Sequence, residues 1–204
     1  MRKKIISILW LIAAVCLPQR GALASDYVID TEGGHAFIQF RISHLGYSWL
    51  VGRFNSFSGA FSYDEDDPGA SRVSVVIDTA SIDSNHAERD KHLRDGDFLD
   101  VEAFPQARFE SRTYTRKPDG SGELVGDLTL RGVTRPIVIA VEQVGAGPDP
   151  WGGYRMGFSG HTRLVLADFG ITTYLGDAAR EMELFLGVEG IREKSEKASR
   201  RPGP

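Results

Sequence analysis

Residues 84–109 read SNHAERDKHLRDGDFLDVEAFPQARF, and this is the one stretch of the chain whose pattern clearly predicts a helix. Asn85 is a suitable N-cap residue, with Glu88 three positions later as in a capping box. The predicted helix carries too few apolar residues to be a core helix. We expect it to lie across the outside or the mouth of a β structure, anchored by Leu93 and by the apolar residues of 98–104.

Almost all of the remaining sequence alternates apolar and polar residues, which is the pattern of strands with one buried face. Eight segments show it: 35–44, 49–63, 72–82, 107–115, 123–131, 135–144, 154–166 and 181–191. Mostly short turns join them, so up-and-down antiparallel closure is the simplest topology. The sequence therefore predicts an all-β fold, an eight-stranded antiparallel barrel with a helical insertion between strands 3 and 4.

The two ends of the chain differ from the barrel segments. Residues 1–24 have the basic start, the apolar core and the small-x-small end of a cleavable signal peptide. We therefore expect an exported, periplasmic protein that is cut after Ala24. Residues 25–192 are predicted to form one barrel domain, and the polar residues 193–204 a disordered tail.

Composition excludes several classes of protein. The whole chain has 24 Lys and Arg against 28 Asp and Glu. Removing the predicted signal takes away four basic residues and no acidic ones, which leaves a net charge of −8. Such a charge argues against nucleic acid as a partner. The only cysteine, Cys16, lies in the predicted signal, so we expect no disulfide or thiol chemistry. Beyond the signal, no apolar run is long enough to predict a transmembrane helix.

A histidine cluster in the predicted helix leaves other functions open. His86 and Asp90, four positions apart, share a helix face and could ligate a metal, whereas His92, two positions further on, points elsewhere. A hydrolytic or metal-dependent enzyme is therefore one alternative, and a structural stress protein with a filled core is another. The cluster lacks the HExxH spacing, and the ordinary interpretation is a solvated face with ion pairs along the helix. We predict no metal site and no catalytic residue.

Several blocks of the sequence resemble the YceI family of lipocalin-like, isoprenoid-binding proteins. They include HAFIQFRISHLGYSW from residue 35, DTASIDSNHAERDKHLRDGDFLDVEAFPQARFES from residue 78, GDLTLRGVTRPI from residue 126 and EMELFLGVEGI from residue 181. The resemblance implies an elongated barrel whose pore holds a polyisoprenoid chain, such as ubiquinone or a polyprenyl phosphate. It implies sequestration or transport of that lipid, with no catalytic cofactor. A homodimer is the oligomeric state we expect.

The same resemblance implies that the inner faces of the strands contact the lipid tail. The predicted lining is Ile38, Phe40, Ile42, Phe57, Phe61, Val75, Ile77, Phe109, Leu128, Leu130, Val138, Phe158, Leu164, Leu184 and Leu186. At one mouth, we expect His44, Arg89 and His92 to meet a polar head group. Arginine suits a phosphate, and a neutral histidine can donate a hydrogen bond to a quinone oxygen.

Overall fold

The computed structural model describes residues 24–194, in which eleven strand segments and one helix are joined by turns. The elements are β1 (Ser25–Ile29), β2 (Phe37–His44), β3 (Ser48–Phe54), β4 (Phe57–Tyr63), β5 (Arg72–Asp78), β6 (Ile82–Asp83), α1 (Ala87–Arg94), β7 (Gln106–Arg116), β8 (Ser121–Leu130), β9 (Val133–Pro148), β10 (Tyr154–Val165) and β11 (Glu181–Arg192). The predicted signal peptide up to residue 23 and the predicted tail from residue 195 lie outside the described residues. Within residues 24–194, every helix is too short or too polar to cross a bilayer.

The eleven segments form an eight-stranded closed barrel because three of its strands are interrupted. β1 and β2 follow one another along the same edge of β11, and β3 and β4 pair in turn with β2 and β1. β5 and β6 likewise form one broken strand beside β4 and β3. Antiparallel pairing then continues through β7, β8, β9, β10 and β11, and the pairing of Tyr27 with Arg192 closes the ring. The predicted all-β barrel with one helical insertion is confirmed.

The break between β3 and β4 lies where the backbone hydrogen-bonds to Ser81, and not at a glycine within a strand. Between β3 and β4, Asn55 N–H donates to the Ser81 carbonyl at 3.1 Å, and Ser56 N–H donates to Ser81 Oγ at 3.0 Å. Gly52 instead lies inside β3, where a side chain would collide with the ring of Phe40. The interruptions of β3–β4 and of β5–β6 therefore lie side by side. Helix α1 follows β6 and packs against it, so the insertion lies beside these interruptions.

Two strand boundaries differ from the prediction. β1 was not predicted, although its Tyr27 and Ile29 are buried and Tyr27 stacks on Phe61 with ring centroids 4.8 Å apart. β1 has only five residues and directly follows the predicted signal, so its alternation of apolar and polar residues is too short to predict a strand. β9 extends to Pro148, so the Gly/Pro-rich stretch after residue 144 is mainly paired strand, and only a short turn at Asp149–Gly153 separates it from β10.

The N-cap of helix α1 lies one residue later than predicted. His86 is the N-cap, and its Nδ1 accepts a hydrogen bond from Arg89 N–H at 3.3 Å. Asn85 has a φ of 62°, a left-handed conformation that asparagine tolerates, and its N–H donates to Asp83 Oδ1 at 2.8 Å. The predicted capping box with Asn85 is therefore wrong. The predicted anchoring is confirmed, since Phe98 is buried and Leu93 packs against the core.

Candidate ligand cavity

A cavity of about 690 Å³ occupies the end of the barrel beside α1. A narrower cavity of about 150 Å³ adjoins it deeper in the barrel. Ile38, Ile77, Leu128 and Leu184 line both cavities, so these residues form a waist between them. The larger volume lies within the range of about 300–1,000 Å³ that is usual for small-molecule sites. The interior is thus not filled, and the alternative of a barrel with a packed core is wrong.

Nearly all of the predicted lining residues lie on the walls of these cavities. The larger cavity is lined by Ile38, Phe40, Ile42, Ile77, Leu128, Leu130, Leu164 and Leu184. The deeper one is lined by Phe57, Phe61, Val75, Phe109, Phe158 and Leu186 together with the waist residues. Their contact with a ligand stays a prediction, but their inward orientation follows from the strand pairing.

Val138 is the exception, because it faces outward and is 52% exposed. Residues 137–139 are all apolar, so alternation alone does not indicate which of them point inward. The register with β8 decides it: Ile139 pairs with the inward Leu124, and Val138 pairs with Val125 on the outer face. Paired residues of antiparallel strands share a face. The prediction of Val138 as a lining residue is therefore wrong, and Ile137 and Ile139 take that role.

A second part of the larger wall comes from outside the strands and was not predicted. Leu93, Phe98 and Leu99 of the insertion line the cavity, as do Leu166, Ile171, Tyr174, Leu175 and Ala179 of the connection between β10 and β11. Arg131 joins these two segments, because its Nη1 and Nη2 donate to the carbonyls of Gly170 and Gly96 at 2.6 and 2.5 Å. Irregular segments have no strand alternation from which their inward residues could be inferred.

The three predicted head-group residues lie on this same cavity. His44 is the last residue of β2, and Arg89 and His92 lie one turn apart on α1. Nε2 of His92 is 3.9 Å from Asp97 Oδ2, and the His92 ring meets the edge of Phe98 with centroids 4.9 Å apart. The barrel thus brings two distant segments together at one mouth, which is otherwise apolar.

Arg89 is held in place by a buried hydrogen-bond chain. Its Nε donates to Ser84 Oγ at 2.8 Å, and its Nη2 donates to the Ser84 carbonyl at 2.6 Å. Ser84 in turn donates to Asp90 Oδ1 through its N–H at 2.8 Å and through its hydroxyl. Asp90 and Ser84 are both buried, so the prediction of a solvated face around Asp90 is wrong. The tight turn that precedes α1 places Ser84 over the first helical turn, which the sequence pattern does not reveal.

The histidine cluster of α1 does not converge on a metal. His86 uses its Nδ1 for the N-cap, Asp90 accepts from Ser84, and His92 faces Phe98. Among residues 24–194, Asp30, His35 and Glu189 form the single group of three acidic or histidine side chains close enough to share an ion.

That group lies at the opposite end of the barrel and already contains a cation. Arg155 Nη1 lies 2.6 Å from Asp30 Oδ2 and 2.5 Å from Glu189 Oε1. Hydrogen bonds from Arg155, His35 and the Gly33 N–H lower the pKa of Asp30 to about 2. The guanidinium neutralises the buried carboxylate, so this cluster is a closed ionic network rather than an open site.

Comparisons with known proteins agree with this architecture. The family model described as "YceI-like domain" matches residues 27–189. A UPF0312 protein of Pseudomonas aeruginosa is 58% identical over 172 residues, which cover 84% of this chain and 90% of that protein.

Two solved structures are also similar. The crystal structure of a Campylobacter jejuni YCEI protein is 28% identical, with a TM-score of 0.67 over 76% of this chain and 91% of that one. A polyisoprenoid binding domain from Saccharophagus degradans is 14% identical and shares the fold, with a TM-score of 0.60 over 82% of this chain and 98% of that one. The family match over most of the barrel, together with the high identity to the relative, shows that this chain belongs to the YceI-like family.

Proposed function

We propose that this protein binds an isoprenoid lipid, such as a quinone or a polyprenyl phosphate, and sequesters or carries it in the periplasm. The observation that supports this most is the cavity of about 690 Å³, which has aliphatic walls and a mouth bearing His44, Arg89 and His92. The structural relative from Saccharophagus degradans is described as a polyisoprenoid binding domain, which agrees in ligand class.

The shape of the interior favours a slender apolar chain. The wide cavity and the small cavity of about 150 Å³ meet at Leu128, and phenylalanine side chains line the small one. Each CH₂-sized group moved from water to such a wall contributes about 0.8 kcal/mol. Several isoprene units would therefore bind firmly without any catalytic group, even after the costs of association.

The head group is the part of the ligand that the mouth would recognise. Arg89 is orientated by Ser84, which accepts hydrogen bonds from its Nε and Nη2. A phosphate would suit this guanidinium, and a quinone carbonyl would suit a neutral His44 or His92. We expect His92→Ala to weaken binding of a head-group-bearing lipid about tenfold, equal to about 1.4 kcal/mol.

Binding of a hydrocarbon isoprenoid without a head group serves as the control for that variant, and it should be unchanged. A combined Arg89→Ala and His92→Ala variant that keeps full affinity for quinones and for polyprenyl phosphates would contradict the head-group role. Urea unfolding of each variant separates loss of affinity from loss of fold, since Arg89 also contacts Ser84.

The ligand itself is identified by organic extraction of the protein purified from its native compartment, followed by mass spectrometry. A stoichiometric prenyl quinone or polyprenyl phosphate is the expected result. A Leu128→Trp variant, which fills the waist, is the matched control and should carry much less lipid. An empty extract from a stable wild-type protein would refute the proposed ligand.

Export is a separate part of the proposal and has its own test. The signal-like residues 1–24 predict a mature chain that starts at Ser25. Intact mass and N-terminal sequencing of the protein from the periplasmic fraction should give that start. Full-length protein confined to the cytoplasm would contradict it.

The homodimer likewise remains a prediction. Trp49 and Val51 are exposed on the outer face of β3 and are available for pairing between copies. Sedimentation equilibrium is expected to give twice the monomer mass, and a monomer at all concentrations would contradict it.

A further inference from the structure

Four exposed apolar side chains surround the mouth of the cavity. Leu45 is 57% exposed, Tyr47 88%, Tyr174 77% and Leu175 37%. We call these four residues the mouth rim. Leu45, Tyr174 and Leu175 also line the cavity wall, whereas Tyr47 does not. The apolar interior thus continues onto the outer surface at this end of the barrel.

The mouth rim comes from two segments that lie against each other. Leu45 and Tyr47 belong to the turn between β2 and β3, which Tyr47 N–H closes by donating to the His44 carbonyl at 3.0 Å. Tyr174 and Leu175 belong to the connection before β11. A Cβ added to Gly176 of that connection would be 3.5 Å from Leu45 Cδ2, in van der Waals contact. The rim is therefore one continuous surface.

In the turn between β2 and β3, Leu45 has a backbone conformation that other residue types adopt more readily. Leu45 has a φ of 55°, in the left-handed region where glycine, asparagine and aspartate are common and branched apolar residues are rare. A turn selected for hairpin formation alone would carry Asn-Gly here. Leu45 therefore presents an apolar side chain to solvent at the cavity mouth despite an unfavourable backbone.

We propose that the mouth rim docks the barrel end-on against a lipid bilayer, so that an isoprenoid tail passes between membrane and cavity without crossing water. This inference rests on the proposed lipid-binding function. Leucine and tyrosine are side chains that partition into the interfacial region of a bilayer, where a tyrosine keeps its hydroxyl hydrated. An isoprenoid tail resides in the bilayer, and its exposure to water is the costly step that end-on contact avoids.

Charge argues for a neutral surface as the docking partner. Without the predicted signal the chain has a net charge of −8, so it is not attracted as a whole to anionic lipids. At the mouth, the positive charge of Arg89 is accompanied by Asp97, whose Oδ2 lies 3.9 Å from His92, and by Asp177, which follows the lining residue Gly176. Docking should therefore depend on apolar insertion, and raising the salt concentration should change the affinity less than twofold, in contrast to a polybasic patch.

The test measures flotation of the full mature protein with zwitterionic phosphatidylcholine vesicles. Tyr47→Ser removes an exposed ring that touches neither the cavity wall nor the core, and it should weaken vesicle binding about tenfold, equal to about 1.4 kcal/mol. Trp151→Ser is the matched control, because Trp151 is 76% exposed in the turn at the opposite end of the barrel. It should leave vesicle binding unchanged.

A second readout separates docking from ligand binding. The rate of prenyl quinone transfer from vesicles to protein should fall in Tyr47→Ser by the same factor as vesicle affinity. Equilibrium binding of a water-soluble short-tailed quinone should not change, since Tyr47 does not line the cavity.

Each other outcome overturns the inference in a distinct way. A wild type that binds the soluble quinone but does not float with vesicles refutes docking and leaves the proposed function standing. A wild type that binds neither a prenyl quinone nor a polyprenyl phosphate refutes the proposed function. Vesicle binding that is lost in high salt, or that Tyr47→Ser leaves unchanged, refutes insertion of the rim. A Tyr47→Ser variant that loses self-association instead of vesicle affinity would show that the rim pairs two copies.

Discussion

The substitution Asp30→Asn is expected to remove an acid-sensitive part of the stability of the barrel. Asp30 is buried at the end of β1, where its Oδ2 lies 2.6 Å from Arg155 Nη1 and its Oδ1 accepts the Gly33 N–H at 2.8 Å. Asparagine keeps the acceptor for Gly33 but loses the negative charge that Arg155 stabilises. The barrel end should therefore remain folded while its ionic network weakens.

The magnitude follows from the pKa of Asp30, which is about 2 in the folded protein against an ordinary 3.8. One pKa unit corresponds to about 1.4 kcal/mol, so the ionised carboxylate stabilises the fold by about 2 kcal/mol. Because the folded pKa is lowered, this stabilisation is complete above pH 3.8 and is lost as the pH falls towards 2. Asp30→Asn should accordingly cost about 2 kcal/mol at pH 7 and almost nothing at pH 2.

Urea unfolding followed by circular dichroism at a series of pH values between 7 and 2 measures this difference. Asp177→Asn is the matched control, because the ion pair of Asp177 with Arg180 is exposed on both sides and should contribute well under 1 kcal/mol. A free-energy difference between wild type and Asp30→Asn that stays constant from pH 7 to pH 2 would refute the linkage. If the free energies of unfolding of wild type and Asp30→Asn differ by less than about 0.5 kcal/mol at pH 7, the ion pair between Asp30 and Arg155 does not stabilise the fold.

Two further predictions concern the cavity and the insertion. Leu128→Trp places an indole at the waist between the two cavities and should reduce the lipid bound per protein, measured by titration with a fluorescent prenyl analogue. Val138→Trp, on the outer face, is its control and should bind normally; equal binding by both variants would contradict the pore as the tail site. Phe98→Ala should lower the free energy of unfolding by about 3–5 kcal/mol, because a buried ring that anchors the insertion leaves a cavity. A loss below about 1 kcal/mol in urea unfolding, similar to that of the exposed Val144→Ala, would show that the insertion is not anchored there.

The strand order and most inward positions could be predicted because period-two alternation is a local property. Ile38, Phe40 and Ile42 follow one another on one face of β2, and any closed sheet that buries one of them buries all three. The helical insertion was predicted for a similar reason, since its polar run interrupts the alternation. Its small apolar surface predicted a position on the outside or at the mouth of the barrel, and the structure places it at the mouth.

Other features depend on partners that are distant in sequence. Val138 lies among apolar neighbours, so only its pairing with Val125 shows that it faces outward. The sequence pattern predicts that Asp90 is a surface carboxylate. In the structure Ser84 lies above the first turn of α1 and donates two hydrogen bonds to Asp90. The ionic network at the far end requires Asp30 and Arg155, which are 125 positions apart.

By itself, the sequence determined the fold class, the inward face of most strands, the insertion and the family. Tertiary structure alone decided how large the open interior is and that Ser84 holds both Arg89 and Asp90 at its mouth. The physical reason is that the alternation of apolar and polar residues indicates which side chains face inward, but not the distance between opposite walls of the barrel. That distance depends on the closure of eight strands and on the insertion that lines the mouth, and both arise only when the ring is complete.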